Sequence, residues 1–299
     1  MNNFLEYFYG IKVQKIIFSD EYYSFIYNGY VYKLYIYDTS IDINFLVDIN
    51  NKLLVNTLVS EIIINRNNEA ISVYNDVSYI LIKIYANINK SISLDEINYF
   101  SNSLYIENIS VNYGLLWSRK IDYLEDLINE NGKKYPLLVD SFNYFVGMAE
   151  NAICYYNNIL IDNNYRYVLS HKCIKYGDTI EALYNPMNII FDYRVRDVAE
   201  YVKNSFFKKN FNIFNELNIY LKNNLLSLME AKILIARLLY PSFYFELYED
   251  ILIDNKDEKI IVEVVSRLDE YEEYLYNIIV LLRHTYDLDE ILWLKKRRN

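Results

Sequence analysis

Side chains alternate between the two faces of an extended chain over residues 22–27 (YYSFIY) and 30–37 (YVYKLYIY). Between these runs lies Asn28-Gly29, a dipeptide that tolerates the positive φ angles of a type I′ turn. The pattern predicts a β-hairpin, and its second strand carries Lys33 as a cation set among tyrosines.

A helix and further strands are predicted after the hairpin. Apolar residues recur at helical spacing over 45–54. Strand-like runs follow at 59–64 (VSEIII), 70–74 (AISVY) and 78–85 (SYILIKIY). The tract Ala86–Ser91 then has the polar composition of a linker. We therefore predict a β-rich amino-terminal lobe with one helix over residues 1–86.

Helical spacing dominates the rest of the chain. Gly132 and Pro136 end one predicted helix, and Ser141 is the predicted N-cap of the next. Residues 228–240 are apolar nearly all round, as in a central buried helix. These patterns predict a mainly helical carboxy-terminal lobe over residues 87–299, and therefore an α+β protein.

The last long helix is predicted over residues 261–282, where apolar side chains follow steps of three and four. Such a seam serves either a coiled-coil partner or an internal bundle. Because about three heptads are short for an independent coiled coil, we favour packing within the chain.

Composition and charge narrow the classes of function. The formal net charge of −10 disfavours nonspecific nucleic-acid binding, which needs lysine and arginine to neutralise phosphates. No run of 18 apolar residues occurs, and the first residues do not resemble a leader, so we predict no membrane span and no signal peptide. Cys154 and Cys173 are too few for a disulfide framework, which favours a reducing, cytoplasmic compartment.

Residues that could carry chemistry concentrate in the stretch 167–203. It holds His171, Cys173 and an acid, Asp192, that directly follows an apolar run. The chain contains no G-x-S-x-G, C-x-x-C, H-E-x-x-H or phosphate-cradling G-K-[ST] motif. The common hydrolase, zinc and P-loop classes are therefore not indicated.

Several runs together resemble the aminoglycoside phosphotransferase and choline kinase superfamily, and most closely the spore-coat-associated kinase-like proteins of the CotS and YutH type. The runs are YVYK (30–33), SFNYFVGMAENAI (141–153), SHKC (170–173), NPMNIIFDYRVRDVAEYV (185–202) and ARLLYPSFYFELYE (236–249). The resemblance covers most of the chain. It implies a bilobal protein-kinase-like fold, with a small antiparallel sheet in the first lobe and a larger helical second lobe.

The resemblance also implies roles for particular residues. Lys33 matches the strand lysine that holds the ATP phosphates in active members. Their catalytic loop reads His, any residue, Asp, then Asn five positions later, and these places hold His171, Cys173 and Asp178. A thiol therefore replaces the acid that accepts the proton of the attacking hydroxyl. Asp192 matches the acid that binds Mg²⁺.

Most of these residues also have a structural interpretation. Lys33 fits equally well as a strand-edge lysine whose stem covers tyrosines. His171 fits better as a buried residue that braces the loop than as a catalytic one, and Asp197 matches the acid that braces this loop from the following helix. The helix at 45–54 offers Lys33 no glutamate, only Asp48.

Two functions follow from the resemblance, and a third stays open. We predict a noncatalytic kinase-like binding or scaffold protein, associated with the spore coat, whose partner is an unidentified protein or small molecule. The alternative is an active, atypical small-molecule phosphotransferase that uses ATP and Mg²⁺, with Asp178 or Asp192 in place of the lost acid. The third is a cleft that binds a metabolite other than a nucleotide through its tyrosines.

Overall fold

The chain forms two compact units in a computed structural model. The first unit comprises Met1–Ile92 and Gly177–Ile190, and the second comprises Ser93–Tyr176 and Phe191–Asn299. The structure describes residues 1–19, 22–38, 42–55, 59–85, 90–107, 109–210 and 212–296. The predicted boundary at residue 86 stays a prediction, because most of the proposed linker Ala86–Ser91 lies outside the described residues.

Within the described residues, the first unit contains a six-stranded sheet and flanking helices. The strands are β1 (Ile17–Phe18), β2 (Tyr22–Tyr27), β3 (Tyr30–Ile36), β4 (Ser60–Ile63), β5 (Ile71–Tyr74) and β6 (Val77–Ile84), and the helices are α1 (Asn2–Tyr9) and α2 (Ile43–Leu54). The order is β1-β2-β3-β6-β4, with β5 also paired to β6 and every pairing antiparallel. The β2–β3 hairpin turns at Asn28 and Gly29, with φ of 49° and 81°, as the sequence predicts.

Apolar side chains are buried on both faces of this sheet. One cluster gathers around α1, which the sequence pattern did not predict, and includes Phe4, Phe25 and Leu34. The other gathers around α2 and includes Leu46 and Ile82. Successive side chains of a strand point to opposite faces of the sheet, and here both sets include apolar residues. Each face therefore needs a covering helix to bury its apolar side chains.

One side chain of α2 forms hydrogen bonds with the backbone of β4 along its outer edge. The Asn50 amide donates to the Ser60 carbonyl at 3.0 Å, and its oxygen accepts from the Ile62 N–H at 2.9 Å. Asn50 is only 2% exposed, so this pair of hydrogen bonds replaces a neighbouring strand. The buried asparagine thus joins helix to sheet.

Replacing Asn50 with alanine is expected to lower the free energy of unfolding by about 2 kcal/mol, because two backbone groups of β4 lose their partners. Urea unfolding of the whole chain measures the loss. Asn51→Ala is the matched control, since Asn51 is the next residue of the same helix and is exposed. Equal effects of the two substitutions would contradict the assignment.

The second unit is mainly helical. Its strands are β7 (Tyr105–Ile106), β8 (Tyr167–His171) and the end of β9 (Ile189–Asp192), in the order β7-β8-β9. Its helices are α3 (Leu94–Ser101), α4 (Tyr113–Asn131), α5 (Pro136–Asn157), α7 (Val195–Phe207), α8 (Ile213–Asn223), α9 (Leu228–Leu239), α10 (Ser242–Leu252), α11 (Ile260–Ser266), α12 (Leu268–Arg283) and α13 (Leu292–Lys296). The short α6 (Ile180–Leu183) belongs to the first unit.

Two predicted helix boundaries in this unit were wrong. Ser141 is not an N-cap, because α5 already begins at Pro136, whose fixed φ suits a first helical position. The Ser141 hydroxyl donates to the Leu137 carbonyl one turn earlier, at 2.9 Å. The predicted long helix 261–282 is divided at Arg267, which separates α11 from α12.

The predicted burial patterns agree with the structure better than the predicted helix boundaries do. Helix α9 is apolar nearly all round and packs against α5 and α7, as a central helix should. Along the seam of α11 and α12, Ile261, Leu275, Ile278 and Leu282 are buried within the chain, as the internal alternative predicts. Across the described residues, no helix is long and apolar enough to cross a membrane.

Candidate functional site

Asp192 ends β9 and is buried, with 3% of its surface exposed. Its Oδ1 accepts from its neighbour's backbone, Tyr193 N–H, at 2.7 Å and from the Tyr113 hydroxyl. Its Oδ2 accepts from Nη1 of Arg196 at 2.6 Å. Each carboxylate oxygen is therefore hydrogen-bonded within the protein, and the negative charge is paired.

Arg196 connects this acid to the loop that follows β8. Its Nε donates to the His171 carbonyl at 2.8 Å, and its Nη2 donates to the Lys172 carbonyl at 3.1 Å. Helix α7 begins at Val195, so the guanidinium sits in the first turn after Asp192. The planar fork of arginine suits such simultaneous contacts, which lysine could not reproduce.

The charge of Arg196 is secured by its neighbours. Burial alone would lower the pKa of Arg196, but Tyr113 and the carboxylates of Asp192 and Asp197 raise this pKa overall. The guanidinium of Arg196 therefore stays charged beside the carboxyl group of Asp192.

His171 and Asp197 form a second buried pair beside the first. His171 is 1% exposed, and its Nδ1 lies 2.7 Å from Oδ2 of Asp197. The His171 backbone N–H donates to Oδ1 of the same carboxylate at 3.1 Å, and the ring packs against Phe100 at 4.6 Å between centroids. This geometry favours the structural interpretation, in which Asp197 braces the loop through His171.

The remaining loop residues divide between the two units. Cys173 belongs to the second unit, is exposed and forms no disulfide. Asp178 belongs to the first unit, where it follows Gly177 (φ of 93°) and its carbonyl accepts from the Ile92 N–H at 2.8 Å. The structure thus groups Cys173 with His171 and Asp192, while Asp178 lies in the other unit.

Lys33 lies in the first unit and pairs with an acid that the sequence did not suggest. Its Nζ contacts Oε1 of Glu181 in α6 and lies 4.4 Å from the centroid of the Tyr22 ring. Burial would lower the pKa of Lys33, but the hydrogen bond and charge of Glu181 raise it overall. Asp48 instead pairs with Lys52 at 2.7 Å on the exposed side of α2.

No local signal points from Lys33 to Glu181, because about 150 residues separate them and only the folded chain brings them together. The Asp192–Arg196 pair is close in sequence, but the helical i,i+4 rule does not predict it, because Asp192 ends β9 and α7 begins only at Val195.

A protein-family model matches most of the chain. The family model described as "Spore coat putative kinase YutH" matches residues 2–278. The chain belongs to the YutH family. One relative, "Endospore coat-associated protein YutH" of Bacillus subtilis (strain 168), is 28% identical over 181 residues. That match covers 54% of this chain and 53% of the relative, so it spans about half of each protein.

Solved structures show the fold of the YutH-family chain. An aminoglycoside phosphotransferase from Alicyclobacillus acidocaldarius subsp. acidocaldarius DSM 446 superposes with a TM-score of 0.65 at 10% identity, covering 91% of this chain and 92% of that one. Spectinomycin phosphotransferase APH(9)-Ia, in complex with ADP and spectinomycin, gives 0.59 at 11% identity, covering 98% and 95%. The predicted α+β class and kinase-like fold are confirmed, and so is the predicted resemblance to YutH-type spore-coat proteins.

The fold family implies ATP and Mg²⁺, and the residues of this chain do not fit the metal as they stand. Magnesium takes oxygen ligands in near-octahedral geometry, usually waters and substrate phosphates held together by one or two carboxylates that must be free to coordinate it. Here both oxygens of Asp192 already accept hydrogen bonds, one of them from a guanidinium. Among the described residues, no group of three or more His, Cys, Asp or Glu side chains is arranged to hold a metal ion.

Proposed function

We propose that this chain is a noncatalytic, kinase-like protein that serves as a binding or scaffold module associated with the spore coat. The single observation that carries the loss of catalysis is the buried ion pair between Asp192 and Arg196. The spore association is supported by the family description and by the printed name of the Bacillus subtilis relative.

The ion pair between Asp192 and Arg196 disfavours metal binding at Asp192 in two ways. The guanidinium Nη1 lies 2.6 Å from Oδ2 of Asp192, so a divalent cation at that oxygen would meet a fixed positive charge. Displacing Arg196 would also break its bonds to the His171 and Lys172 carbonyls. Removing one member of a buried ion pair typically costs about 3–5 kcal/mol, which a weak metal site does not return.

The proton acceptor is missing as well. Cys173 stands where active members have the aspartate, and a neutral thiol does not orient and deprotonate a hydroxyl as a carboxylate does. His171 and Asp197 are buried against each other and brace the loop, so they do not replace the lost acid. Together these features support a protein that keeps the architecture and has lost the reaction.

One observation favours the alternative, an active atypical phosphotransferase. In active protein kinases the strand lysine must pair with a glutamate before it can hold the ATP phosphates. Lys33 has such a partner in Glu181, although this acid comes from α6 and not from α2. An active chain would then rely on Lys33 for the nucleotide and on Asp192 for the metal.

Calorimetry with MgATP tests the two functions directly. We expect affinity no tighter than millimolar, no transfer of labelled phosphate to solvent, protein or small hydroxyl compounds, and the same result for Lys33→Met and Asp192→Asn. Micromolar affinity with product formation that both variants abolish would establish the alternative. Lys52→Met is the matched control, since Lys52 pairs with Asp48 at an exposed site.

A further inference from the structure

The chain contains two Asn-Gly dipeptides, Asn28-Gly29 and Asn131-Gly132, and they lie in different local structures. An asparagine that precedes glycine is especially prone to spontaneous deamidation, because glycine has no Cβ to shield its backbone nitrogen from the neighbouring side-chain amide. The two sites have the same covalent chemistry. The structure around each dipeptide therefore decides whether the reaction can proceed in the folded protein.

Asn28-Gly29 forms the exposed turn between β2 and β3. The ladder of these strands ends at the pair Tyr27–Tyr30, so both turn residues lie beyond its last pair. Asn28 and Gly29 are exposed, and a Cβ placed on Gly29 would have no atom within 4 Å. The groups that react in deamidation are therefore open to water and free of steric obstruction.

The conformation of this turn can change at low cost. The φ angles of 49° at Asn28 and 81° at Gly29 lie in the left-handed region, which asparagine tolerates and glycine adopts readily. Cyclisation requires Asn28 to leave this region, so that its side-chain carbonyl carbon can approach the nitrogen of Gly29. Because the turn lies at the end of the ladder, this change disturbs little of the sheet.

Asn131-Gly132 lies at the end of α4, where the backbone is fixed. Gly132 has φ of −61° and ψ of −24°, and its N–H donates to the Ile128 carbonyl. Gly132 is buried, and a Cβ placed on it would lie 2.7 Å from Ile128 and 3.2 Å from Val139. Its nitrogen is thus hydrogen-bonded and closely surrounded, so cyclisation at Asn131 requires the end of α4 to unfold.

We propose that Asn28 is a site of spontaneous deamidation in the folded chain, whereas Asn131 is protected. The backbone nitrogen of Gly29 attacks Cγ of Asn28, and the side-chain nitrogen leaves as ammonia together with the proton of the Gly29 N–H. The product is a cyclic imide. Water then opens the imide at either of its carbonyl groups, which leaves aspartate or isoaspartate at position 28. Water is the only co-reactant.

The isoaspartate product alters the hairpin that carries Lys33. It routes the main chain through the former side-chain carbon, so the turn gains one backbone atom and a negative charge. A turn with an extra backbone atom no longer matches the twist of the two strands. We expect the end of the ladder, at Tyr27 and Tyr30, to open more often, while the pair Ser24–Lys33 further along the strands stays closed.

Incubation of the whole chain at mildly alkaline pH, followed by peptide mapping with mass spectrometry, tests the proposal. We expect the peptide that contains Asn28 to gain the mass difference between an amide and a carboxyl group about tenfold or more faster than the peptide that contains Asn131. Enzymatic methylation of isoaspartyl carboxylates separates isoaspartate from aspartate. Amide exchange at Tyr27 and Tyr30 should be faster in the isoaspartate form than in the unmodified chain.

Two controls separate the effect of the fold from the chemistry of the dipeptide. In guanidinium chloride the chain is unfolded, and Asn28 and Asn131 should deamidate at similar rates. Asn28→Asp carries the negative charge without the extra backbone atom, so it should leave amide exchange at the turn unchanged. Equal deamidation rates at Asn28 and Asn131 in the folded chain, or a difference that persists in guanidinium chloride, would each overturn the proposal.

Discussion

Replacing Glu200 with alanine is expected to lower the free energy of unfolding by about 3–5 kcal/mol, because two buried cations lose their common partner. Oε1 of Glu200 lies 3.0 Å from Nζ of Lys203 and 2.6 Å from Nη2 of Arg237. Lys203 and Arg237 are 1% and 5% exposed, so water cannot take over the role of the carboxylate. Urea unfolding followed by circular dichroism measures the loss.

The same carboxylate predicts a dependence on pH. Burial would raise the pKa of Glu200, but Lys203 and Arg237 lower it to about 2. A depressed carboxyl pKa contributes stability above its unfolded value of 4.5 and loses it as the pH falls towards 2. The wild-type chain should therefore lose more stability over this range than Glu200→Ala does.

The exposed residue Glu130, near the end of α4, provides the control for Glu200. Glu130→Ala should change the free energy of unfolding by less than about 0.5 kcal/mol and leave the acid profile as it is. A loss below about 1 kcal/mol for Glu200→Ala would contradict the role of this cluster as a buried charge network.

Replacing Asp197 with alanine is expected to cost about 3 kcal/mol, since the His171 N–H and ring lose the acceptor that holds them. Asp197 is fully buried, and its bonds to His171 measure 3.1 and 2.7 Å. The change should also release the loop after β8, which faster amide exchange at residues 171–176 would reveal. Thermal and urea unfolding measure the stability.

Two comparison variants separate the causes of this loss. Asp197→Asn keeps one oxygen acceptor and should cost roughly half as much as the alanine change. Asp95→Ala removes an exposed acid from the first turn of α3, and so reports the helix-dipole effect alone. If Asp95→Ala lowered the free energy of unfolding as much as Asp197→Ala does, the contact between Asp197 and His171 would not be the cause of the loss.

The parts of the fold that the sequence predicts well are those with a local cause. The hairpin of β2 and β3 follows from Asn28-Gly29 between alternating runs, and α9 follows from its apolar surface. The break at Arg267 has no such cause, because the apolar repeat of α11 continues into α12. The spacing of apolar residues indicates which face of a helix is buried, but it does not indicate where the helix is interrupted.

The candidate site was predictable only in its residue types. His171, Cys173 and Asp192 stand out by their order along the chain, whereas their partners are set by folding. Glu181 reaches Lys33 from a distant segment, and Arg196 reaches Asp192 only because α7 begins between them. In the sequence alone, Lys33 and Asp192 look available to bind a nucleotide or a metal ion, whereas in the folded chain each forms an ion pair.

The first unit is assembled from two separated stretches, and this has a consequence for its synthesis. Gly177–Ile190 supplies Glu181 to Lys33 and the Tyr184 carbonyl to the Ser60 hydroxyl. At about 5–20 residues per second, the ribosome needs roughly 4–17 s to cover the interval between Ile92 and Gly177. The amino-terminal sheet therefore emerges first but is completed late, and a nascent chain stalled in that interval would offer its unfinished surface to chaperones.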